Sequence, residues 1–208
     1  MQSIILFRYA KNQGAEYLSH LDVMRHLQRT FRRAGLAIKK SEGFHPHPLL
    51  HMSPPGGTGI PSIAEYCVVE LVTPISADEF LARYNAAAPK GLQANGAWES
   101  ATRVNIAALI SAAEYVIEGV SFDADALMNE PQFIVQTKKG NTDVKDRIYS
   151  LKNTDGGVTA LVAFGNVTLR PDAFGEALSA RFGGEATFRK IGVYTDCSRR
   201  KVESHVTK

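Results

Sequence analysis

The chain has 208 residues, of which 44% are hydrophobic and 22% are charged, an ordinary globular composition for one or two domains. Its net charge of +3 is far below that of a histone-like protein, so any nucleic-acid binding must come from a local patch. The two cysteines, Cys67 and Cys197, are too few to hold an iron–sulfur cluster or a structural zinc ion. No segment approaches the roughly 18 apolar residues of a membrane span, so we expect a cytoplasmic protein with no membrane partner.

The first hundred residues predict elements in the order β, α, β, β, α, β, which is the ferredoxin-like plan. Strands are predicted over residues 4–10, 64–72 and 92–97, with a short strand around His51, and helices over residues 19–35 and 76–89. Alternating and β-branched apolar residues indicate the strands, while the helices begin at serine caps and end near glycine or proline.

A second unit of the same plan is predicted over residues 112–197. Its strands are expected over residues 113–120, 132–138, 158–164 and 186–195, and its helices over residues 123–128 and 171–182, with residues 142–151 ambiguous. We therefore predict an α+β protein with two tandem ferredoxin-like units, residues 1–100 and 112–197, followed by a flexible basic tail at residues 198–208.

The first helix carries the strongest pattern in the chain. Ser19 is the expected N-cap, Asp22 lies in the first turn, and Gly35 follows the last turn. At about 100° per residue, the apolar arc contains Leu21, Met24, Leu27, Phe31 and Ala34, with Val23 at its edge and His20 inside it. The opposite arc contains Asp22, Arg25, His26, Arg29, Arg32 and Arg33. We call the four arginines Arg25, Arg29, Arg32 and Arg33 the basic face.

The basic face predicts an anionic partner. Arg25, Arg29 and Arg33 repeat at i, i+4, i+8 without an interleaved acidic residue, and such a row destabilises an isolated helix by mutual repulsion. Lys39 and Lys40 extend the positive run beyond the helix. The alternative is an ordinary solvated helix face, but guanidinium groups match phosphate oxygens, so a polyanion is the expected partner.

Residues 41–48, here called the histidine loop, predict a second part of the site. Gly43, Pro46 and Pro48 exclude a helix, so His45 and His47 lie on an extended or turning segment. Four aromatic residues, Phe7, Tyr9, Phe44 and Tyr66, could offer rings for stacking on bases or could belong to the core, and for Phe7 we favour the core.

The histidines also allow two catalytic alternatives. His20, His45, His47 and His51, with Asp22 nearby, could hold a metal ion, or His45 and His47 could act as a general acid/base pair on a phosphate, with Arg25 as the stabilising cation. His20 points toward the apolar arc and no fourth ligand is then evident, so we expect no metal and no cofactor. The interpretation we favour is that the loop's histidines bind phosphates or cap the backbone.

Four motifs resemble those of the radical-SAM-linked protein family, a bacterial domain of unknown function encoded beside or fused to radical-SAM proteins. They are Leu18-Ser19-His20-Leu21-Asp22, Arg29-x-x-Arg32-Arg33-Ala34-Gly35-Leu36, Ser41-x-Gly43-Phe44-His45-Pro46-His47-Pro48 and Gly59-x-x-Ser62-x-x-Glu65-Tyr66. The resemblance is densest over residues 4–72 and implies a radical-SAM partner and a theme of RNA modification.

The expected function is that of an RNA-binding module, not an enzyme by itself, which presents structured RNA such as tRNA to a separate radical-SAM enzyme. The expected RNA-binding residues are Arg25, Arg29, Arg32, Arg33, Lys39, Lys40, Phe44, His45 and His47. The alternative is a metal-dependent or histidine-based RNA-processing enzyme with candidate residues His45, His47, His20 and Asp22. We further expect the histidine loop to lie beside Ser19 and Asp22, forming one pocket with Glu65 and Tyr66 on its rim.

Overall fold

A computed structural model describes residues 3–138 and 140–206, which divide into two compact units. The first unit comprises the chain up to Leu109 and the segment from Lys201, and the second comprises Ile110–Arg200. Both units are α+β, which is the predicted class. No helix in the described ranges is long and apolar enough to cross a membrane.

Within the described residues, the first unit has four strands and three α-helices. They are β1 (Ser3–Lys11), α1 (His20–Arg33), β2 (Leu50–Met52), β3 (Ser62–Leu71), α2 (Ala77–Ala87), β4 (Ala94–Ser100) and α3 (Ile106–Leu109). The strands pair antiparallel in the order β4-β1-β3-β2, so β1 and β3 are central.

The described part of the second unit adds six strands and two α-helices. They are β5 (Ala112–Glu118), α4 (Ala124–Met128), β6 (Ile134–Thr137), β7 (Gly140–Asp143), β8 (Ile148–Thr154), β9 (Gly157–Ala163), α5 (Pro171–Phe182) and β10 (Thr187–Tyr194). Its main strands pair antiparallel in the order β10-β5-β9-β8, and β6 and β7 form a separate two-stranded sheet. Two tandem ferredoxin-like units are not confirmed, since that plan has no such extra sheet.

The core of the first unit is an aromatic cluster between β1 and the two longer helices. Phe7 is fully buried, and its ring centroid lies 5.2 Å from those of Phe80 and Tyr84 and 5.8 Å from that of Phe31. Tyr9 packs on the same side at 5.6 Å. Because side chains alternate along a strand, Phe7 and Tyr9 share the face of β1 that the helices cover. Phe7 and Tyr9 are therefore core residues, not stacking platforms for bases.

The first helix is rotated relative to its predicted orientation. Val23, Leu27, Thr30 and Phe31 are buried, whereas Leu21, which was predicted to be buried, is 56% exposed. The buried residues are spaced at i, i+4, i+7 and i+8, a continuous stripe that leaves Leu21 on its far side. The basic face still points outward, because it lies opposite this stripe.

Proline and glycine at the ends of the long helix of the second unit predict its boundaries correctly. For residues 142–151, by contrast, the sequence predicts no definite secondary structure. Pro171 occupies the first turn of α5, and Gly183 ends the helix with a φ of 77°, both as predicted. The ambiguous residues 142–151 form the end of β7, a 3-10 turn and the first part of β8. Lys152, Asn153 and Thr154 complete β8 without apolar alternation, so its sequence gives a weak strand signal.

The segment predicted as a flexible tail contains an ordered turn. Val202–His205 forms a 3-10 helix in which Val202 is fully buried. Glu203 accepts a hydrogen bond from the Tyr66 hydroxyl at 3.1 Å and lies 3.6 Å from the Arg8 guanidinium. Burial of one apolar side chain and this polar contact order a basic segment whose composition alone predicted disorder.

Candidate nucleic-acid interface

The basic face of α1 is exposed over its whole length. Ser19 caps the helix by accepting a hydrogen bond from the Asp22 amide at 3.2 Å, and the buried stripe holds the opposite side against the core. Arg25, Arg29, Arg32 and Arg33 are all exposed. Among the described residues, no carboxylate forms an ion pair with Arg29 or Arg32, which leaves both guanidinium groups available to an outside anion.

The arginine nearest the start of the helix is neutralised locally. Arg25 donates to a carboxylate oxygen of Asp22 at 2.9 Å, and the Ser19 hydroxyl donates to the other oxygen at 2.7 Å. The hydrogen bond from Ser19, followed by that from Arg25, lowers the pKa of Asp22. Asp22 is therefore a capping carboxylate, and its candidate catalytic role receives no support from this geometry.

The last arginine of the basic face links two helix ends. Arg33 donates to the Ala87 carbonyl at the end of α2, at 2.9 and 3.3 Å from its two nitrogens. In return, Arg83 of α2 donates to the carbonyls of Ala34 and Gly35 at 3.1 and 2.6 Å. Each arginine satisfies carbonyls that its partner helix cannot bond internally. Arg33 therefore has a structural contact, and Arg29 and Arg32 are the clearest ligand-binding candidates.

The histidine loop is the tip of a hairpin that leaves the sheet after α1. Its stem is closed by a bridge between Lys40 and Pro48 and by the Ser41 amide, which donates to the His47 carbonyl at 2.8 Å. The Ser41 hydroxyl also lies 2.8 Å from Nδ1 of His47. Lys39, Lys40, Phe44, His45 and His47 are all exposed. Tyr66, by contrast, is buried, so of the predicted stacking residues only Phe44 is accessible.

The hairpin stem pairs with one end of β3, and the segment that leads from β1 into α1 leaves the sheet at the other end. The Lys39 amide donates to the Glu70 carbonyl at 2.8 Å, whereas at the other end Ser62 pairs with Lys11 of β1. These two positions on β3 are separated by about 26 Å at the usual strand rise, and Phe44 can reach only about 10 Å from Ser41. Among the described residues, no hydrogen bond or ion pair joins the histidine loop to Ser19 or Asp22, so the predicted pocket that combines them stays a prediction.

The loop instead continues the basic face at the C-terminal end of α1. The chain passes from Arg33 through Gly35, whose φ of 65° ends the helix, into Lys39 and Lys40. We call Arg29, Arg32, Lys39, Lys40 and the histidine loop the basic surface. The sequence already groups these residues as the expected RNA-binding set, but the pairing of Lys39 with Glu70, which fixes where the hairpin leaves the sheet, is a long-range contact that no local pattern predicts.

His20, at the start of α1, lies near two buried charged residues, Glu65 and Lys11. Burial lowers the pKa of His20, Glu65 acts against this shift, and Lys11 reinforces it. Glu65 and Lys11 are themselves only 5% and 8% exposed. Sequence reasoning placed Glu65 on a pocket rim and missed Lys11, although charged residues at the end of apolar strands signal buried polar contacts. No group of three or more His, Cys, Asp or Glu side chains in the described chain could hold a metal ion.

The lowered pKa of His20 predicts a stability change at mildly acidic pH. The unfolded chain protonates His20 near pH 6.5, before the folded protein does, so stability present above about pH 6.5 falls as the pH drops toward the folded-state pKa. Urea unfolding of wild type and His20→Asn at about pH 7.5 and about pH 5.5 tests this. We expect a smaller loss on acidification in His20→Asn, whereas equal losses in the two proteins would contradict the prediction.

Comparison with known proteins places the chain in a family without assigning it an activity. A search of curated proteins found no match. The model of a family described as an uncharacterized protein conserved in bacteria (DUF2344) matches residues 5–171, which include the whole basic surface and most of the second unit. The chain therefore belongs to the DUF2344 family of uncharacterized bacterial proteins.

Proposed function

We propose that the protein binds RNA through the basic surface of its first unit. The observation that carries this proposal is the exposure of Arg29 and Arg32, one helical turn apart, with no ion-paired carboxylate among the described residues. Two adjacent unpaired guanidinium groups repel each other in the free protein, and phosphate oxygens relieve that repulsion while accepting paired hydrogen bonds. Lys39 and Lys40 supply further positive charge at the same end of the helix.

The local concentration of charge favours a polyanion over a single small anion. The whole chain carries a net charge of +3, while the basic surface alone contains four cations and one carboxylate, Glu42. A helix face with no enclosing wall suits an extended row of phosphates better than one phosphate, which usually requires a cradle of backbone amides. Exposed Phe44 adds an aromatic contact of the type that RNA-binding proteins use for unpaired bases.

The partner and the RNA class follow from the motif resemblance. The protein presents structured RNA such as tRNA to a separate radical-SAM enzyme. Because this chain has only two cysteines, that partner would hold the iron–sulfur cluster.

We also infer that both units follow the ferredoxin-like plan, which is supported by the same strand order in each, with β6 and β7 as an insertion. The RNA-processing alternative is less favoured, because Nδ1 of His47 lies within hydrogen-bond distance of the Ser41 hydroxyl.

Ultraviolet crosslinking in cells that express the chain tests the proposal. RNA recovered with the purified protein is sequenced, and crosslinked peptides are identified by mass spectrometry. We expect RNA above the level of a non-irradiated control, with crosslinks in peptides from residues 20–49. Crosslinks confined to residues 110–200, or no enrichment of RNA, would contradict the proposal.

A further inference from the structure

Phe44 is exposed to an extent that folding alone does not explain. Its relative exposure is 102%, while the other phenylalanines of the first unit, Phe7, Phe31 and Phe80, are almost completely buried. A phenyl ring removed from water is stabilised by about 2 kcal/mol or more, and Phe44 gains none of this in the free protein. An apolar side chain at the tip of a polar hairpin is therefore suited to contact with another molecule.

The hairpin stem fixes the backbone on both sides of the tip that carries this ring. Besides the closing bridge, the His47 amide donates to the Ser41 hydroxyl at 3.1 Å, and the Leu49 amide donates to the Lys39 carbonyl at 2.8 Å. Pro46 fixes one backbone dihedral of the return strand. Gly43 has a φ of 116°, a left-handed conformation that places the turn immediately before Phe44. The stem thus limits the backbone freedom that the tip loses when the ring is bound.

The surroundings of the ring indicate what it binds. Lys39 and Lys40 form the base of the same hairpin, and Arg32 lies near the end of the helix that leads into it. A flat apolar face beside several cations matches a nucleobase with its flanking phosphates, since stacking on an aromatic ring requires no particular base. An apolar protein surface would match Phe44 but not the cations at the base of its hairpin.

We infer that Phe44 stacks on an unpaired base of the bound RNA, while Arg29 and Arg32 contact the phosphates of an adjacent helical stem. This inference rests on the proposed function and deepens it by naming the substrate class. The preferred RNA has a base-paired stem next to at least one unpaired nucleotide. A base inside a perfect duplex is already stacked on its neighbours, so such an RNA offers contacts to the arginines but none to the ring.

The experiment compares two synthetic RNAs that share one stem sequence. One is a perfect duplex, and the other carries a single bulged 2-aminopurine, whose fluorescence falls when its base stacks. We expect wild type to bind the bulged RNA about tenfold more tightly than the duplex and to quench the probe. Phe44→Ala should lose the preference and the quenching, so that it binds the two RNAs about equally. Phe44→Trp should retain the preference and the quenching.

The outcomes separate this inference from the proposed function. Equal affinity of wild type for the two RNAs overturns the inference while RNA binding stands. A preference that survives in Phe44→Ala also overturns it and points to a protein partner for the ring. Failure of wild type to bind either RNA overturns the proposed function and the inference together. Since Phe44 makes no core contact, its variants should keep the wild-type circular dichroism spectrum, which confirms that any change arises from the tip.

Discussion

Replacing Arg29 and Arg32 with glutamate is expected to lower the affinity for structured RNA by about 100-fold or more at about 100 mM salt. Each substitution removes a charge-assisted contact worth about 1.5–3 kcal/mol and adds a repulsive charge, and about 1.4 kcal/mol corresponds to a tenfold change. Both side chains are exposed and make no packing contact that folding requires. Filter binding or fluorescence anisotropy with a labelled stem–loop RNA measures the effect.

A matched control distinguishes the effect of where the reversed charges lie from the effect of the net charge on RNA affinity. Lys152 and Arg189 are exposed residues of the second unit, and reversing both changes the net charge from +3 by four units to −1, as the double reversal on α1 does. We expect this control to weaken RNA binding only a few fold. Equal weakening by the two double variants would mean that RNA responds to overall charge, and the basic surface would lose its special role.

Substitution of Arg33 is a poor test of RNA binding, although Arg33 belongs to the basic face. Its reversal would remove the contact with the Ala87 carbonyl and place a carboxylate beside the end of a helix, where negative charge is unfavourable. A loss of RNA binding in Arg33→Glu would therefore mix altered helix packing with a lost ligand contact. Arg25→Glu has a similar defect, because it sets two carboxylates against each other at the capped start of α1.

Phe7→Ala is expected to destabilise the first unit by about 3–5 kcal/mol. Phe7 is fully buried among four other aromatic rings, so truncation leaves a cavity that rigid neighbours fill poorly. Trp98 is the single tryptophan and lies in β4, opposite Leu6 of β1, so its fluorescence reports unfolding of this unit in urea.

Phe44→Ala is the control for this truncation. It deletes the same ring at a fully exposed position and should change the free energy of unfolding by less than about 0.5 kcal/mol. The pair thus assigns one phenylalanine to the core and the other to the surface. A loss below about 1 kcal/mol in Phe7→Ala would show that the aromatic cluster does not hold the first unit together.

Features with local causes could be predicted from the sequence. The boundaries of α1 follow from Ser19 and Gly35, and those of α5 from Pro171 and Gly183, because capping chemistry acts within one turn of the chain. The outward direction of the basic face follows from its separation from the apolar residues. None of these predictions requires knowledge of distant contacts.

Features with long-range causes could not be predicted. The exposure of Leu21 and the burial of Thr30 depend on how α1 packs against β1 and α2, and hydrophobicity alone favours the reverse assignment. The contacts of Arg33 and Arg83 join residues about fifty positions apart. The position of the histidine loop depends on the pairing of Lys39 with Glu70, which no local pattern encodes.

The most direct test of RNA binding by the basic surface is the salt dependence of the affinity for wild type and for Arg29→Gln/Arg32→Gln. Each phosphate contact contributes a slope of about −0.9 to the plot of log affinity against log salt concentration, since binding releases a condensed counterion. Neutralising both arginines should make the slope about 2 units less steep, while Lys152→Gln/Arg189→Gln should keep the wild-type slope. An unchanged slope in Arg29→Gln/Arg32→Gln would contradict the account, because these side chains would then contact no phosphate.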